Sequence, residues 1–193
     1  MKKKILVING HPNAESLCAS LAANYAKGAE QAGHEIKLVH LSQLSFDPIL
    51  HKGYLKIQDL EPDLVQAQKD ILWAEHLVFV YPIWWSSTPA LLKGFLDRVF
   101  LPGFAFKYHK TDPFWDKLLT GRTGRIILTT DAPWLWNLVM NWDPAIRTMK
   151  KGVLEFCGIK PVSVTQFDSI KNRKPEDIKK YLQKVFELGQ KAL

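Results

Sequence analysis

Residues Leu77 to Phe100 read LVFVYPIWWSSTPALLKGFLDRVF, and the order of their chemistry decides the fold. Leu77-Val78-Phe79-Val80-Tyr81 is an unbroken run of apolar, β-branched and aromatic residues, the composition of a strand buried on both faces. It meets Pro82, which has no N–H to give a ladder, so the strand is expected to end there. The loop Ile83-Trp84-Trp85-Ser86-Ser87-Thr88 comes next. Pro89 then opens a helix that runs through Lys93-Gly94 to Phe100, because proline suits a first helical turn whose N–H groups are unpaired anyway. Loops at the carboxyl ends of parallel strands are where open α/β sheets bind ligands. Two adjacent indoles, costly to leave in water, are therefore expected to meet a flat, partly apolar partner.

The same alternation runs through the rest of the chain. Lys4 to Asn9 reads as a strand, followed by the loop Gly10-His11-Pro12-Asn13-Ala14-Glu15-Ser16 and a helix from Leu17 to Ala32 closed by Gly33. Ile36 to Leu41 is a second strand, and a long mixed loop, Ser42 to Glu61, contains Phe46-Asp47-Pro48. Pro62 sits near the start of a helix reaching Trp73. After the Pro89 helix, Leu101 to Thr120 reads as irregular, with turn signals at Pro102-Gly103 and Asp112-Pro113. Arg125 to Thr130 is a fourth strand, Pro144 to Cys157 a helix, Val162 to Phe167 a fifth strand and Pro175 to Leu193 a final helix. The expectation is one α/β domain over residues 1–193, a flavodoxin-like order of five parallel strands, doubly wound with helices on both faces.

With 193 residues and 47% hydrophobic content the chain is long enough to bury a real core. The basic start Met1-Lys2-Lys3-Lys4 is followed by too short an apolar run for a signal peptide or a membrane span, which predicts a cytoplasmic protein without membrane insertion. Cys18 and Cys157 stand far apart with no second cysteine nearby, the spacing of buried thiols in a reducing compartment. The formal charge of +7 raises the question of nucleic acid. Its lysines and arginines are dispersed, however, and where they cluster, at Lys2 to Lys4 and Lys171 to Lys174, no aromatics interleave them, so nucleic acid is not expected. A positive potential that helps to capture anionic nucleotides is the milder reading.

The first strand delivers Gly10-His11-Pro12 and then Ser16 at a helix start. An anion there meets unpaired N–H groups, the positive end of the helix dipole and a hydroxyl, although the loop has neither GxGxxG nor a Walker GK[ST]. Taken with Pro82-Ile83-Trp84-Trp85, Pro89-Ala90-Leu91-Leu92-Lys93-Gly94 and Asp97-Arg98-Val99-Phe100, the chain resembles the flavodoxin-like NAD(P)H quinone oxidoreductases. The likeness extends to Phe46-Asp47-Pro48 and Gly103-Phe104-Ala105-Phe106 and is weakest between Asp131 and Asp143. It implies a flavin, FAD with FMN as the alternative, and NAD(P)H as hydride donor. It further implies two-electron, ping-pong reduction of quinones or similar planar acceptors, and a homodimer. By the same resemblance His11, Ser16, Leu17 and Cys18 hold the flavin phosphate or pyrophosphate, and Pro82, Ile83, Trp84 and Trp85 hold the ring. Cys18 stands where relatives often carry Asn, and Glu15 is expected to turn away from a phosphate.

A third contact loop is expected after the fourth strand, at Thr129, Thr130, Asp131 and Ala132. Relatives have Gly-Gly where this chain has Asp131-Ala132, so Asp131 either faces the flavin or caps the next segment of chain. Trp134, Trp136, Met140 and Trp142 then crowd ten residues and are expected to wall a pocket for a planar substrate. His51, His109, Tyr108 and Asp47 lack metal-ligand spacing, no HExxH or GxSxG occurs, and no catalytic metal is expected. No side chain is assigned as catalytic acid or base, since hydride transfer on a flavin requires none. Two other classes share the fold: an electron-carrying flavodoxin, against which the basic charge speaks, and an ancillary flavoprotein of a membrane transport system.

Overall fold

The computed structural model describes residues 2–56, 58–133 and 143–192. Five strands form one parallel sheet: β1 (Lys4–Asn9), β2 (Glu35–His40), β3 (His76–Pro82), β6 (Thr123–Thr129) and β7 (Val162–Phe167), in the order β2-β1-β3-β6-β7. β1, β3 and β6 lie inside the sheet and are buried almost throughout, which is why they read as apolar runs. The edge strands β2 and β7 mix polar with apolar residues and are partly exposed. Pro82 pairs with Thr129 as the last residue of β3, so the strand ends at the proline itself.

Helices cover both faces. α1 (Leu17–Gln31) and α5 (Pro175–Lys191) pack on one side against Ile5, Val7, Val78, Val80 and Ile127. On the other side α2 (Pro62–Trp73), α3 (Ala90–Val99) and α4 (Pro144–Arg147), which continues as a π-helix over Thr148–Glu155, pack against Leu6, Ile8, Phe79 and Ile126. No helix among the described residues is long and apolar enough to cross a membrane. The segment read as irregular, Leu101 to Thr120, contains a small antiparallel hairpin, β4 (Phe106–Tyr108) with β5 (Trp115–Lys117). Strands of three residues are too short for a period of two to show in sequence. The helix expected over Pro144 to Cys157 ends two residues earlier, at Glu155, and its π-helical stretch has no sequence signal of its own.

Two close approaches explain residues that hydrophobic patterning does not. A Cβ on Gly28 of α1 would run into the Phe186 carbonyl of α5, and one on Gly189 of α5 would run into the Tyr25 carbonyl of α1, so the two helices touch backbone to backbone. On the opposite face, a Cβ on Gly94 of α3 would collide with Pro48. One turn on, the fully buried Arg98 reaches the same loop. Its guanidinium donates to the carbonyls of Asp47 and Asp59 (2.7 Å for the latter) and to both carboxylate oxygens of Glu61, at 3.2 and 2.8 Å. The two Glu61 bonds form a bidentate, charge-assisted pair. The Ser42 to Glu61 loop is thereby fastened to α3, which accounts for Phe46-Asp47-Pro48, Lys93-Gly94 and Asp97-Arg98 occurring in one chain.

The helix contact sets a test. Gly28→Ala and Gly189→Ala are each expected to lower unfolding free energy by about 1–3 kcal/mol, the cost of overpacking against backbone that cannot give way. Gly152, in the π-helix, has open space where its Cβ would stand. Its replacement by Ala should raise stability by about 0.5–1 kcal/mol through helix propensity alone. Urea unfolding of the three variants checks this, and a Gly28→Ala protein as stable as the parent would contradict the close α1–α5 approach.

Candidate functional site

The sheet ladder runs on past the ends of its strands. Gly10 N–H donates to Val80 O at 2.8 Å, Ile83 N–H to Thr129 O at 2.8 Å and Thr130 N–H to Phe167 O at 2.9 Å. The three loops that leave β1, β3 and β6 are therefore set in register before any side chain is considered. β1 pairs with both β2 and β3, so the chain turns outward in both directions from it, and loops at such a switch point diverge to leave a crevice. A cleft of about 400 Å³ opens there. It is lined by His11, Ser16, Leu17 and Cys18 from the first loop, by Pro82, Ile83, Trp84 and Trp85 from the second, and by Thr129, Thr130, Asp131 and Ala132 from the third. Two further lining residues carry no mark in the sequence. Ser86 belongs to the second loop, while Ile170 lies just beyond β7 and reaches the site because its N–H bonds Thr130 O at 3.2 Å. No spacing of residues announces that bond.

In the first loop Ser16 caps α1, its Oγ accepting the Ala19 N–H at 3.2 Å. The hydroxyl proton remains available to a ligand, so capping and binding are compatible. The N–H groups of Leu17 and Cys18 take no acceptor among the described residues. They are the unpaired donors with which a helix start receives an anion. His11 Nδ1 accepts the Asn13 N–H at 2.9 Å, which places the ring proton on Nε2 and makes that nitrogen a donor. Burial holds His11 below the usual imidazole value, so the ring is a neutral donor at physiological pH. Glu15 is exposed, with its N–H on Asn13 Oδ1.

The second loop is a tight turn. Trp84 N–H bonds Ser87 O at 3.0 Å, Ser87 N–H bonds Trp84 O at 2.9 Å, and the two residues between them, Trp85 and Ser86, have φ of 51° and 55°. That is the left-handed pattern of a type I′ turn, which Asn and Gly normally supply. Holding a tryptophan and a serine there costs on the order of 1–3 kcal/mol for each strained residue. The turn leaves the Trp85 side chain fully exposed and Trp84 44% exposed, with the Trp84 ring edge-on to His11 at 5.4 Å. Neither indole serves the core, so the two rings form a free apolar wall beside the cleft.

In the third loop Thr129 and Thr130 are buried, Thr129 Oγ1 lying 3.3 Å from Cys18 Sγ and Thr130 Oγ1 accepting the Ala132 N–H at 3.2 Å. Asp131 lines the cleft, and its Oδ1 accepts the Lys171 N–H at 2.8 Å, a bond to a turn 40 residues on rather than to the next segment of chain, which pins the turn that carries Ile170. The site thus has donors for an anion at one end, a flat apolar wall at the side and two threonines on its floor, and this set fits a flavin with its phosphate at the α1 start. Trp134, Trp136, Met140 and Trp142 lie outside the described residues. The other polar candidates stand apart from the cleft. His51 pairs with Asp47 at 2.7 Å, and His109 is held between Asp116 and Asp112, whose hydrogen bonds raise its pKa. Tyr108 lines a separate hollow beside α3.

Cys18 raises a chemical question, since a thiol beside a redox cofactor can react. Burial pushes it up to about 11 and pushes Cys157 up to about 12, and both are buried. A thiol so protonated is a poor nucleophile. Native protein at pH 8 should therefore give almost no fast reaction with DTNB, whereas both thiols should react in urea. A rapidly reacting thiol in the native protein would contradict this description of Cys18.

The family profile described as a flavodoxin-like fold matches residues 3–188. An uncharacterized NAD(P)H oxidoreductase of Haemophilus influenzae is 36% identical over 170 residues, covering 86% of this chain and 83% of its own. NAD(P)H dehydrogenase (quinone) 1 of Cavia porcellus is 27% identical over 184 residues, 81% of this chain and 65% of its own. Among solved structures, Smu.1420 of Streptococcus mutans superposes with a TM-score of 0.83 at 31% identity over 99% of this chain and all of its own. An FMN-dependent NADH-azoreductase of Bacillus anthracis, in complex with FMN, shares the fold with a TM-score of 0.74 over 99% of both chains at 19% identity. Strand order, crevice and family profile agree, and the chain belongs to the flavodoxin-like family.

Proposed function

We propose that the protein is a flavin-dependent NAD(P)H oxidoreductase that reduces quinones or similar planar electrophiles by two electrons. The observation that carries the reading is the meeting, in one cleft at the sheet's switch point, of the anion-receiving start of α1, the exposed Trp84-Trp85 wall and the Thr129-Thr130 floor. The names of the Haemophilus and Cavia relatives support the reaction class. A bound flavin would supply the hydride transfer by which NAD(P)H, a quinone and one proton give NAD(P)⁺ and the hydroquinone.

The chain's own task is binding and orientation. Leu17 and Cys18 N–H, Ser16 Oγ–H and His11 Nε2–H hold the phosphate end, while Ile83, Trp84 and Trp85 hold the ring at its side. The Thr129 and Thr130 hydroxyls and the Asp131 N–H would face its polar edge, where fixed donors favour the extra electron density of the reduced state. Trp85, standing free in solvent, is the surface against which a second planar molecule is steered into transfer distance. The resemblance of the His11 to Leu17 loop favours FAD, with FMN as the alternative. A homodimer accords with the outward apolar side chains of Tyr54, Leu55, Tyr108 and Phe114, which a second copy would cover.

Reconstituted protein should turn yellow and oxidise NAD(P)H with menadione as acceptor, and chromatography of the flavin released by heat identifies it. Failure to retain either FAD or FMN would overturn the proposal. Trp85→Ala is expected to leave the urea midpoint unchanged while weakening flavin binding by about 1–3 kcal/mol through lost apolar contact. Unchanged flavin affinity in that variant would remove Trp85 from the site. Light scattering at micromolar protein should give twice 22.1 kDa, and a monomer mass would remove the dimer.

A further inference from the structure

Behind the first loop lies a polar relay, rooted in one buried side chain, that the cofactor contacts do not explain. Asn9, the last residue of β1, is completely buried in a strand that is otherwise apolar from Ile5 to Ile8. Its Oδ1 accepts the His11 backbone N–H at 3.2 Å, and its Nδ2 lies 3.0 Å from His40 Nδ1 at the end of β2. These two contacts fix the orientation of the Asn9 amide and the tautomer of His40. A backbone N–H can only donate, so the oxygen of the Asn9 amide must face His11 and its NH₂ must face His40. His40 Nδ1 must then carry a lone pair, and a neutral ring keeps its proton on Nε2. The same logic applies one step on, where the Asn13 N–H donates to His11 Nδ1, and Asn13 in turn accepts the Glu15 N–H with its Oδ1 and the Ser16 N–H with its carbonyl. From His40 to the start of α1 the polar contacts are consecutive: Asn9 holds the His11 backbone, and the Asn13 N–H fixes the tautomer of the His11 ring.

We propose that Asn9 is a positioning residue for cofactor binding: held by His40, it sets the loop conformation in which His11 is locked as the Nε2–H tautomer and offered to the anionic end of the ligand. The inference rests on the flavin reading for its ligand, while the tautomers are a property of the protein alone. It gives a buried asparagine at the end of an apolar strand a purpose, since an apolar side chain would leave the His11 N–H and the His40 ring without these partners. It also separates two functions in one short segment: His11 touches the ligand, and Asn9 acts only through His11.

The test compares Asn9→Leu with Asn9→Asp in the full-length protein. Asn9→Leu removes both bonds. Asn9→Asp keeps an acceptor for the His11 N–H but needs a donor from His40, so it should turn His40 Nδ1 into N–H and leave His11 as it was. Long-range ¹H–¹⁵N spectra of the histidines in flavin-free protein read the tautomers. Titration with FMN and with FAD reads affinity, and circular dichroism confirms folding. The expected result for Asn9→Leu is loss of the single His11 tautomer with flavin binding weakened about tenfold or more. For Asn9→Asp, His40 should switch while His11 keeps the single tautomer of the parent, the acceptor to its N–H being retained. Unchanged histidine spectra and flavin affinity in a folded Asn9→Leu protein would overturn the inference, as would loss of the single His11 tautomer in both variants. Should the parent bind no flavin at all, the cofactor proposal fails by itself, and the histidine spectra still decide whether Asn9 sets the tautomer.

Discussion

Three hydrogen bonds, Gly10 N–H to Val80 O, Ile83 N–H to Thr129 O and Thr130 N–H to Phe167 O, carry the sheet ladder one residue into the loops that form the cleft. Each is an ordinary backbone bond worth roughly 1 kcal/mol net, yet together they turn three flexible connections into extensions of a rigid sheet. Sites built on rigid elements keep their geometry when nothing is bound, which lowers the ordering cost of binding. The burial of β1, β3 and β6 has the same consequence, because their register cannot slip without exposing an apolar strand.

A second tie acts from the far side of the same loop. α3 begins just beyond the strained Trp84 to Ser87 turn, and it is held by Gly94 against Pro48 and by Arg98 within the Ser42 to Glu61 loop. A fully buried guanidinium is expensive unless its donors are satisfied, and here two carbonyls and a carboxylate receive its terminal NH₂ groups, while Nε–H has no partner among the described residues. The long loop therefore behaves as part of the scaffold, and the strained turn sits between two fixed points, the end of β3 and the start of α3. Strain of this kind persists only where the surroundings over-determine it.

Much of this could be read in the sequence. β1 and β7 begin and end where their composition says, as does α2, since each is bounded by Gly, Pro or a charged residue. The twelve residues expected to line a ligand cleft do lie together, because each stands at or just past a strand end or at the start of the helix that follows, and the fold brings these to one edge. Contacts that cross the sequence with no local mark were hidden. Arg98 was visible as part of a motif but not as a partner of Asp47, Asp59 and Glu61. Ile170 enters the cleft through a bond to a loop 40 residues away, and Trp85 and Ser86 adopt left-handed backbone without a glycine to announce it. Asn9 reads as the ragged end of a strand until His40 and His11 are found on either side of it.

The central claim is that one flavin occupies the crevice between these three loops in a single orientation, and a crystal structure of the flavin-loaded protein tests it most directly. The account predicts the phosphate against the N–H groups of Leu17 and Cys18, the ring beside Trp84 and Trp85, and its polar edge toward Thr129 to Ala132. Flavin found in another cavity, or seated with its phosphate at the Trp84-Trp85 turn, would contradict it.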